Sequence, residues 1–248
     1  MAKKRAEEKY GPSPILLWIL ALVLLIALFF LVNSSLFNVS EINVIGASRF
    51  SHQDIILSSG ITTDTNIIHV NEEVARQGIQ QNPYLMVKDI KRVFPTCVEI
   101  VVEERIPSAQ IATVNGYYII NEEGIALSLN ELPDQTLITV KNLAIMQPEF
   151  GKEIVPTEPD KLTALNYVLS AAKENSVVDK IAEVNILDIT NVVILYEGNI
   201  TVEIGYAASA EVKLAQIEAT VNAVRDKLTE KSVINMQTEG AYFLKNNS

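Results

Sequence analysis

The places in this sequence where side chains are spaced for chemistry are few. Ser170 and Lys173 form an S-x-x-K, the spacing at which penicillin-binding enzymes set a lysine one helical turn from a nucleophilic serine. The supporting motifs are missing: Lys-Thr-Gly is absent, and the S-x-N triplet Ser128-Leu129-Asn130 precedes the S-x-x-K, where that enzyme class would place it after. A solvated helix face explains Ser170 and Lys173 just as well. His52 and His69, the two histidines, each fall near a helix start and lack a second ligand at metal spacing such as H-E-x-x-H, so they read as surface or packing residues. Cys97, between Thr96 and Val98 on a predicted strand, has no histidine partner in evidence and reads as a small buried side chain. Glu103 and Glu104 are neighbours on a strand and point to opposite faces, which rules them out as an acid/base pair. Neither G-x-x-x-x-G-K nor G-x-G-x-x-G occurs. The expectation is a protein that is not an enzyme, with no metal and no cofactor.

The elements around these residues explain more. From Ile15 to Val32 the chain reads ILLWILALVLLIALFFLV, without a charged side chain. As a helix this run is about 27 Å long, close to the hydrocarbon thickness of a bilayer. A cleaved signal peptide would have a shorter apolar core and a small-x-small site after it, whereas Asn33-Ser34-Ser35-Leu36-Phe37 follows here, so a retained signal anchor is expected. Lys3, Lys4, Arg5 and Lys9 precede the run and the first basic residue after it is Arg49, which predicts a cytoplasmic N-terminus. Removing the four basic and two acidic residues ahead of the run from totals of 20 and 30 leaves 16 against 28, a formal net of −12 outside the membrane. Such a surface repels phosphates, which argues against nucleic acid as a partner. One cysteine makes no intrachain disulfide, so the fold must stand on packing.

Beyond the span, FNVSEINVIG at 37–46 predicts a strand ending in a turn. Ser51 and Asp54 approximate a capping box for a first helix stopped at Ser59-Gly60; Asn71 caps a second, short helix that contains Gly78 and closes at Asn82-Pro83. Strands follow at Met86 to Phe94 and Thr96 to Glu104. After Pro107, Tyr117 to Ile120 and Ile125 to Leu129 flank Asn121-Glu122-Glu123-Gly124 as a hairpin, and Val192 to Tyr196 with Asn199 to Ile204 form a second about Glu197-Gly198. Helices are expected from Asp160 to Asn175 and from Ser209 to Lys227. The latter carries an apolar stripe of Leu214, Ile217, Val221, Val224 and Leu228, with Glu211, Lys213 and Glu218 expected in water. Short extended pieces run through Val233 to Met236 and Tyr242 to Leu244.

Strand, helix, helix, strand, strand just outside a signal anchor looks like a POTRA domain, and the wording resembles the FtsQ/DivIB family of bacterial cell-division proteins. Val39, Ile42, Val44 and Gly46 match its opening "V..I.V.G" pattern. Phe50-Ser51, Ile55, Ser59-Gly60-Ile61, Asn66-Ile67, Asn82-Pro83-Tyr84 and Val93-Phe94-Pro95 follow in order, and Glu104-Arg105-Ile106-Pro107 resembles the closing "ER.P". Ile119 to Leu127 is similar to the hairpin that opens the family's second domain, with Asn121 in place of the usual aspartate.

The resemblance implies an α+β fold: a cytoplasmic tail (1–14), a transmembrane helix (15–36), a β-α-α-β-β POTRA domain (37–107), a second strand-rich α+β domain (108–245) and a short end (246–248). It implies a non-catalytic scaffold of the division septum that binds two small bitopic proteins, FtsL-like and FtsB/DivIC-like, and influences septal peptidoglycan synthesis. No small-molecule substrate is implied. A sheet edge can accept a strand from such a partner, and at the C-terminal strands the residues singled out are Ile234, Met236, Tyr242 and Phe243, whose other role would be to close the domain core. The rival reading is a POTRA-type envelope protein in polypeptide transport or outer-membrane assembly. Against it stand the retained apolar helix and the lack of room for a membrane barrel.

Overall fold

The computed structural model describes residues 14–229, 232–238 and 243–246, and these fall into two compact units, the first within 14–79 and 87–103 and the second within 80–86 and 104–246. In the first unit, helix α1 runs Pro14–Val32 and its stretch Ile15–Val32 has a mean hydropathy of 3.4 with none of it buried. Helical geometry ends where polar side chains turn back on the last carbonyls: Asn33 Nδ2 donates to Phe29 O at 2.8 Å and Ser34 Oγ to Leu31 O at 2.6 Å. A 3-10 turn, Ser35–Phe37, follows. The first strand is consequently shorter than expected, β1 being Glu41–Ile45, while Val39 ahead of it is tied through its N–H to Thr65 O.

Helix α2, His52–Ser59, is capped by Ser51, whose hydroxyl accepts from Gln53 N, and helix α3, Glu72–Ile79, by Asn71, whose Oδ1 accepts from Glu73 N and Val74 N. A cap of this kind is worth about 1 kcal/mol. Strands β2 (Leu85–Val93) and β3 (Cys97–Glu104) complete a three-stranded sheet of order β1-β3-β2, with β1 parallel to β3 and Val44 opposite Ile100. Alternation along β3 buries Val98, Ile100 and Val102, with Ile55 of α2 and Ala75 and Ile79 of α3 also in the core. Two glycines are fixed by close approach. A Cβ on Gly46 (φ +95°) would lie 2.0 Å from Val102 O, and one on Gly78, in mid-helix, 2.1 Å from Ser58 O. Gly78 thus lets α3 press on the end of α2, and the second sequence peculiarity of that helix becomes a packing requirement.

The second unit is a nine-stranded sheet in the order β12-β11-β10-β9-β8-β7-β4-β5-β6. Its strands are β4 (Ala109–Thr113), β5 (Gly116–Ile120), β6 (Ala126–Asn130), β7 (Ile138–Lys141), β8 (Ile181–Asn185), β9 (Val192–Tyr196), β10 (Ile200–Gly205), β11 (Ser232–Asn235) and β12 (Phe243–Asn246). Both expected hairpins form, β5–β6 and β9–β10, each antiparallel. At the first, Asn121 Oδ1 accepts from Glu123 N at 3.2 Å and Ile125 N at 2.8 Å, so the asparagine makes the turn through its side chain. Strands β4, β7 and β8 add parallel pairings, and β10 pairs parallel with β11.

Helices α4 (Pro159–Glu174) and α5 (Ala210–Val224, continued by a 3-10 turn at Arg225–Lys227) pack on each other and bury Leu165, Val168, Leu214, Ile217 and Val221 in one core with the sheet. Lys213, expected in water, is instead buried, at 3 % exposure. The 3.6-residue period places it beside Leu214 and Ile217 on the packed side, and polarity alone did not keep it out.

Candidate functional site

The side chains first considered for chemistry are dispersed. Ser170 lies on the exposed side of α4, and Lys173 Nζ is engaged in an ion pair with Glu122. His52 Nε2 is 3.4 Å from Ala47 O and His69 sits in a 3-10 turn, Ile67–His69. Among the described residues no group of three or more His, Cys, Asp or Glu side chains is placed to hold a metal ion. Cys97 differs from expectation: it is half-buried, on the face of β3 opposite Val98, with Asn43 Nδ2 3.6 Å from Sγ. Burial first, then the carboxylates of Glu41 and Glu99, push its thiol up from the ordinary range, against a smaller opposing effect of the Asn43 hydrogen bond. A raised thiol is a poor nucleophile at neutral pH.

What the second unit does present is a sheet with two ends, and the ends differ. At β6, Ala126 N donates to Lys152 O at 2.9 Å, Gly151 N to Ala126 O at 2.7 Å and Ile154 N to Gly124 O at 2.9 Å, while Ile125 bridges Glu153. The 151–154 segment therefore occupies the start of that edge. At the other end β12 pairs antiparallel with β11, Asn235 opposite Phe243 and Ser232 opposite Asn246, and terminates the sheet.

The residues singled out there separate into three cases. Ile234 (0 % exposed) and Met236 (3 %) pack in the hydrophobic core, so their side chains hold β11 in place and are not offered to a partner. Phe243 is the first residue of β12. Tyr242 lies outside the described residues.

A polar cluster at the exit of β11 escaped sequence reasoning. Asn235 Nδ2 donates to Glu203 Oε2, Gln237 Nε2 to Asn191 Oδ1 at 2.7 Å, Met236 N to Glu203 O at 2.8 Å, and Lys213 Nζ to Thr238 O at 3.0 Å. Contributions from four separate parts of the chain meet here, and no local spacing announces them.

Arg105, in contrast, stands in a recognised motif and now has a task. Its Nη1 donates to Pro83 O at 2.8 Å and Leu85 O at 3.2 Å, and its N–H to Tyr84 O at 2.8 Å, so the Asn-Pro-Tyr and Glu-Arg-x-Pro signatures are two halves of one contact. Tyr84 Oη in turn lies 2.9 Å from Ser128 Oγ.

A short α/β unit of β-α-α-β-β order behind an apolar helix, followed by a strand-rich unit, defines a POTRA-bearing protein; among the described residues one helix is long and apolar enough to cross a membrane. Residues 37–105 match the family model described as POTRA domain, FtsQ-type. The chain is 27 % identical over 197 residues to the cell division protein DivIB of Clostridium acetobutylicum, covering 79 % of this chain and 77 % of that protein. It is 26 % identical over 208 residues to DivIB of Clostridium botulinum strain Hall (82 % and 80 %) and 28 % identical over 196 residues to the cell division protein FtsQ of Syntrophotalea carbinolica (75 % and 67 %). The resemblance to the FtsQ/DivIB cell-division proteins read from the sequence is borne out, and it extends well beyond the POTRA domain.

Proposed function

We propose that this chain is a non-catalytic scaffold of the cell-division machinery, anchored by α1 with its N-terminus in the cytoplasm and its two folded units outside, acting at the septum. In this reading it binds FtsL-like and FtsB/DivIC-like bitopic proteins and through them helps control septal peptidoglycan synthesis. The observation that carries the reading is the terminal position of β12 in the nine-stranded sheet. An edge strand exposes a row of main-chain donors and acceptors that an extended partner segment completes, and side chains on the added strand give specificity. The β6 end supports the choice by contrast, since the 151–154 segment already occupies its start. The similarity to cell-division proteins supports the setting.

A photo-crosslinking residue placed at Phe243 or Leu244 in the full chain, expressed in its own cells, is expected to trap small single-span proteins of the division machinery. With the crosslinking residue at Leu244, Tyr242→Ala with Phe243→Ala, in a chain that still folds, is expected to abolish that product. An intact complex in the double variant sinks the assignment of the edge. Depletion of the protein is expected to give long cells with segregated chromosomes and missing septa, and normal cell lengths after full depletion would count against the division role itself.

A further inference from the structure

We propose that Lys213 is a positioning residue that latches the C-terminal edge: by holding Thr238 onto α5 it fixes residues 236–238, just past β11, and so protects the pairing of β12 with β11. Lys213 stands in the first turn of α5 and is 3 % exposed. Both circumstances are unfavourable for a lysine, because the first turn of a helix carries partial positive charge and burial strips the head group of water. The other buried lysine, Lys161, is compensated by an ion pair with Glu158 at 2.8 Å, whereas Lys213 has the Thr238 carbonyl at 3.0 Å as its acceptor among the described residues.

An apolar residue at this position would extend the stripe of Leu214 and Ile217 at no such cost. What Lys213 adds is a tether across 25 positions of sequence, to a point just past β11. The neighbouring ties of that segment, Asn235 and Gln237 to Glu203 and Gln237 to Asn191, run to β10 and to the turn before β9. Lys213 is the tie to the helix layer. Residues 235–238 are thereby held from two sides, and β12, which has a strand on one side only, takes its register from a fixed starting point. That this governs partner binding rests on the reading of β12 as the partner edge; the latch itself does not.

Hydrogen exchange of the full chain in detergent, with no partner present, tests the latch. In Lys213→Met, which keeps length and packing but removes the donor, amides of Phe243–Asn246 are expected to exchange at least about fivefold faster, the factor that loss of one hydrogen bond gives. Amides of β9 should be unchanged, and Lys213→Arg, which restores a donor, should recover protection. Unchanged exchange in β12, or equal acceleration in β9 and β12, overturns the proposal, the latter because it marks a general loss of stability. Should the methionine variant fail to fold, Lys213→Gln, with a shorter polar chain, carries the same comparison. Faster exchange in β12 together with no partner crosslinked at Phe243 even in the parent chain would leave the latch standing and remove the edge reading.

Discussion

Single side chains carry two expectations that solution measurements can check. Burial first, and then the carboxylates of Glu41 and Glu99, hold the Cys97 thiol above the ordinary range, so its thiolate fraction at neutral pH is reduced. Maleimide labelling of the folded chain at pH 7 should be slower than that of the urea-unfolded chain, and Glu99→Gln should speed it; equal rates in the folded and unfolded states would refute the raised thiol. Gln110 is the second case. Buried at 1 % exposure, it donates to Asp134 O and Thr139 Oγ1 and accepts from Asp134 N, all within 2.9 Å. Gln110→Ala removes these three bonds, whose partners lie on exposed Asp134 and half-buried Thr139, and should destabilise the second unit by about 1 kcal/mol, read by denaturant unfolding. That glutamine also hid β4 from sequence reading, because Ala109, Gln110 and Ile111 are buried in succession and the period of two disappears. The same loss of a local signal explains Lys213, whose polarity pointed to water while its helical position pointed to the core.

At the scale of elements, α3 shows how packing reverses a propensity argument. Alanine in place of a helical glycine ordinarily gains up to about 1 kcal/mol, yet at Gly78 the new methyl would sit 2.1 Å from Ser58 O. Gly78→Ala should therefore lower the melting temperature of the first unit, and a gain in stability would show that α2 and α3 are free to separate. The β9–β10 turn makes a pH prediction. Glu197, in the left-handed region at φ 48°, takes a bidentate pair from Arg225 (2.9 and 3.1 Å) at the end of α5. The arginine's hydrogen bonds hold the Glu197 carboxyl below its usual range. A depressed folded-state value means the pair contributes above the unfolded-state pKa, and that contribution disappears as pH falls through the depressed one. Exposure to solvent keeps the effect small. Stability measured against pH should fall less steeply through the carboxylate range in Arg225→Gln than in the parent chain; identical slopes would count against the pair.

For the whole molecule, the apolar helix and the edge make separate demands. Ile15–Val32 should keep the full chain with membranes through an alkaline wash, and arginine at both Leu24 and Ile26, each costing roughly 3 kcal/mol near a bilayer centre, should release it into the supernatant. Retention of that variant would mean that something besides α1 holds the protein. The two units are specified differently as well. The first has its boundaries and order written in caps and glycines, whereas the second depends on pairings between strands far apart in sequence, such as Thr139 with Glu183 and Val202 with Ile234.

Local interactions let the sequence alone determine the apolar span, the β-α-α-β-β order, both hairpins and the helices α4 and α5: hydrophobic period, capping side chains and turn residues act within a few positions of one another. Strand β7 was decided only in the tertiary structure, because both of its pairings, to β4 and to β8, are parallel and join segments separated by long crossovers with no turn signature between them; β4 and β8 also pair antiparallel with β5 and β9. The same holds at the candidate edge. The sequence puts Ile234 and Met236 on a short extended piece, but whether their side chains face core or partner depends on what lies beneath β11. Lys213 meets Thr238 for the same reason, since a contact across 25 residues exists only once α5 and the end of β11 have packed.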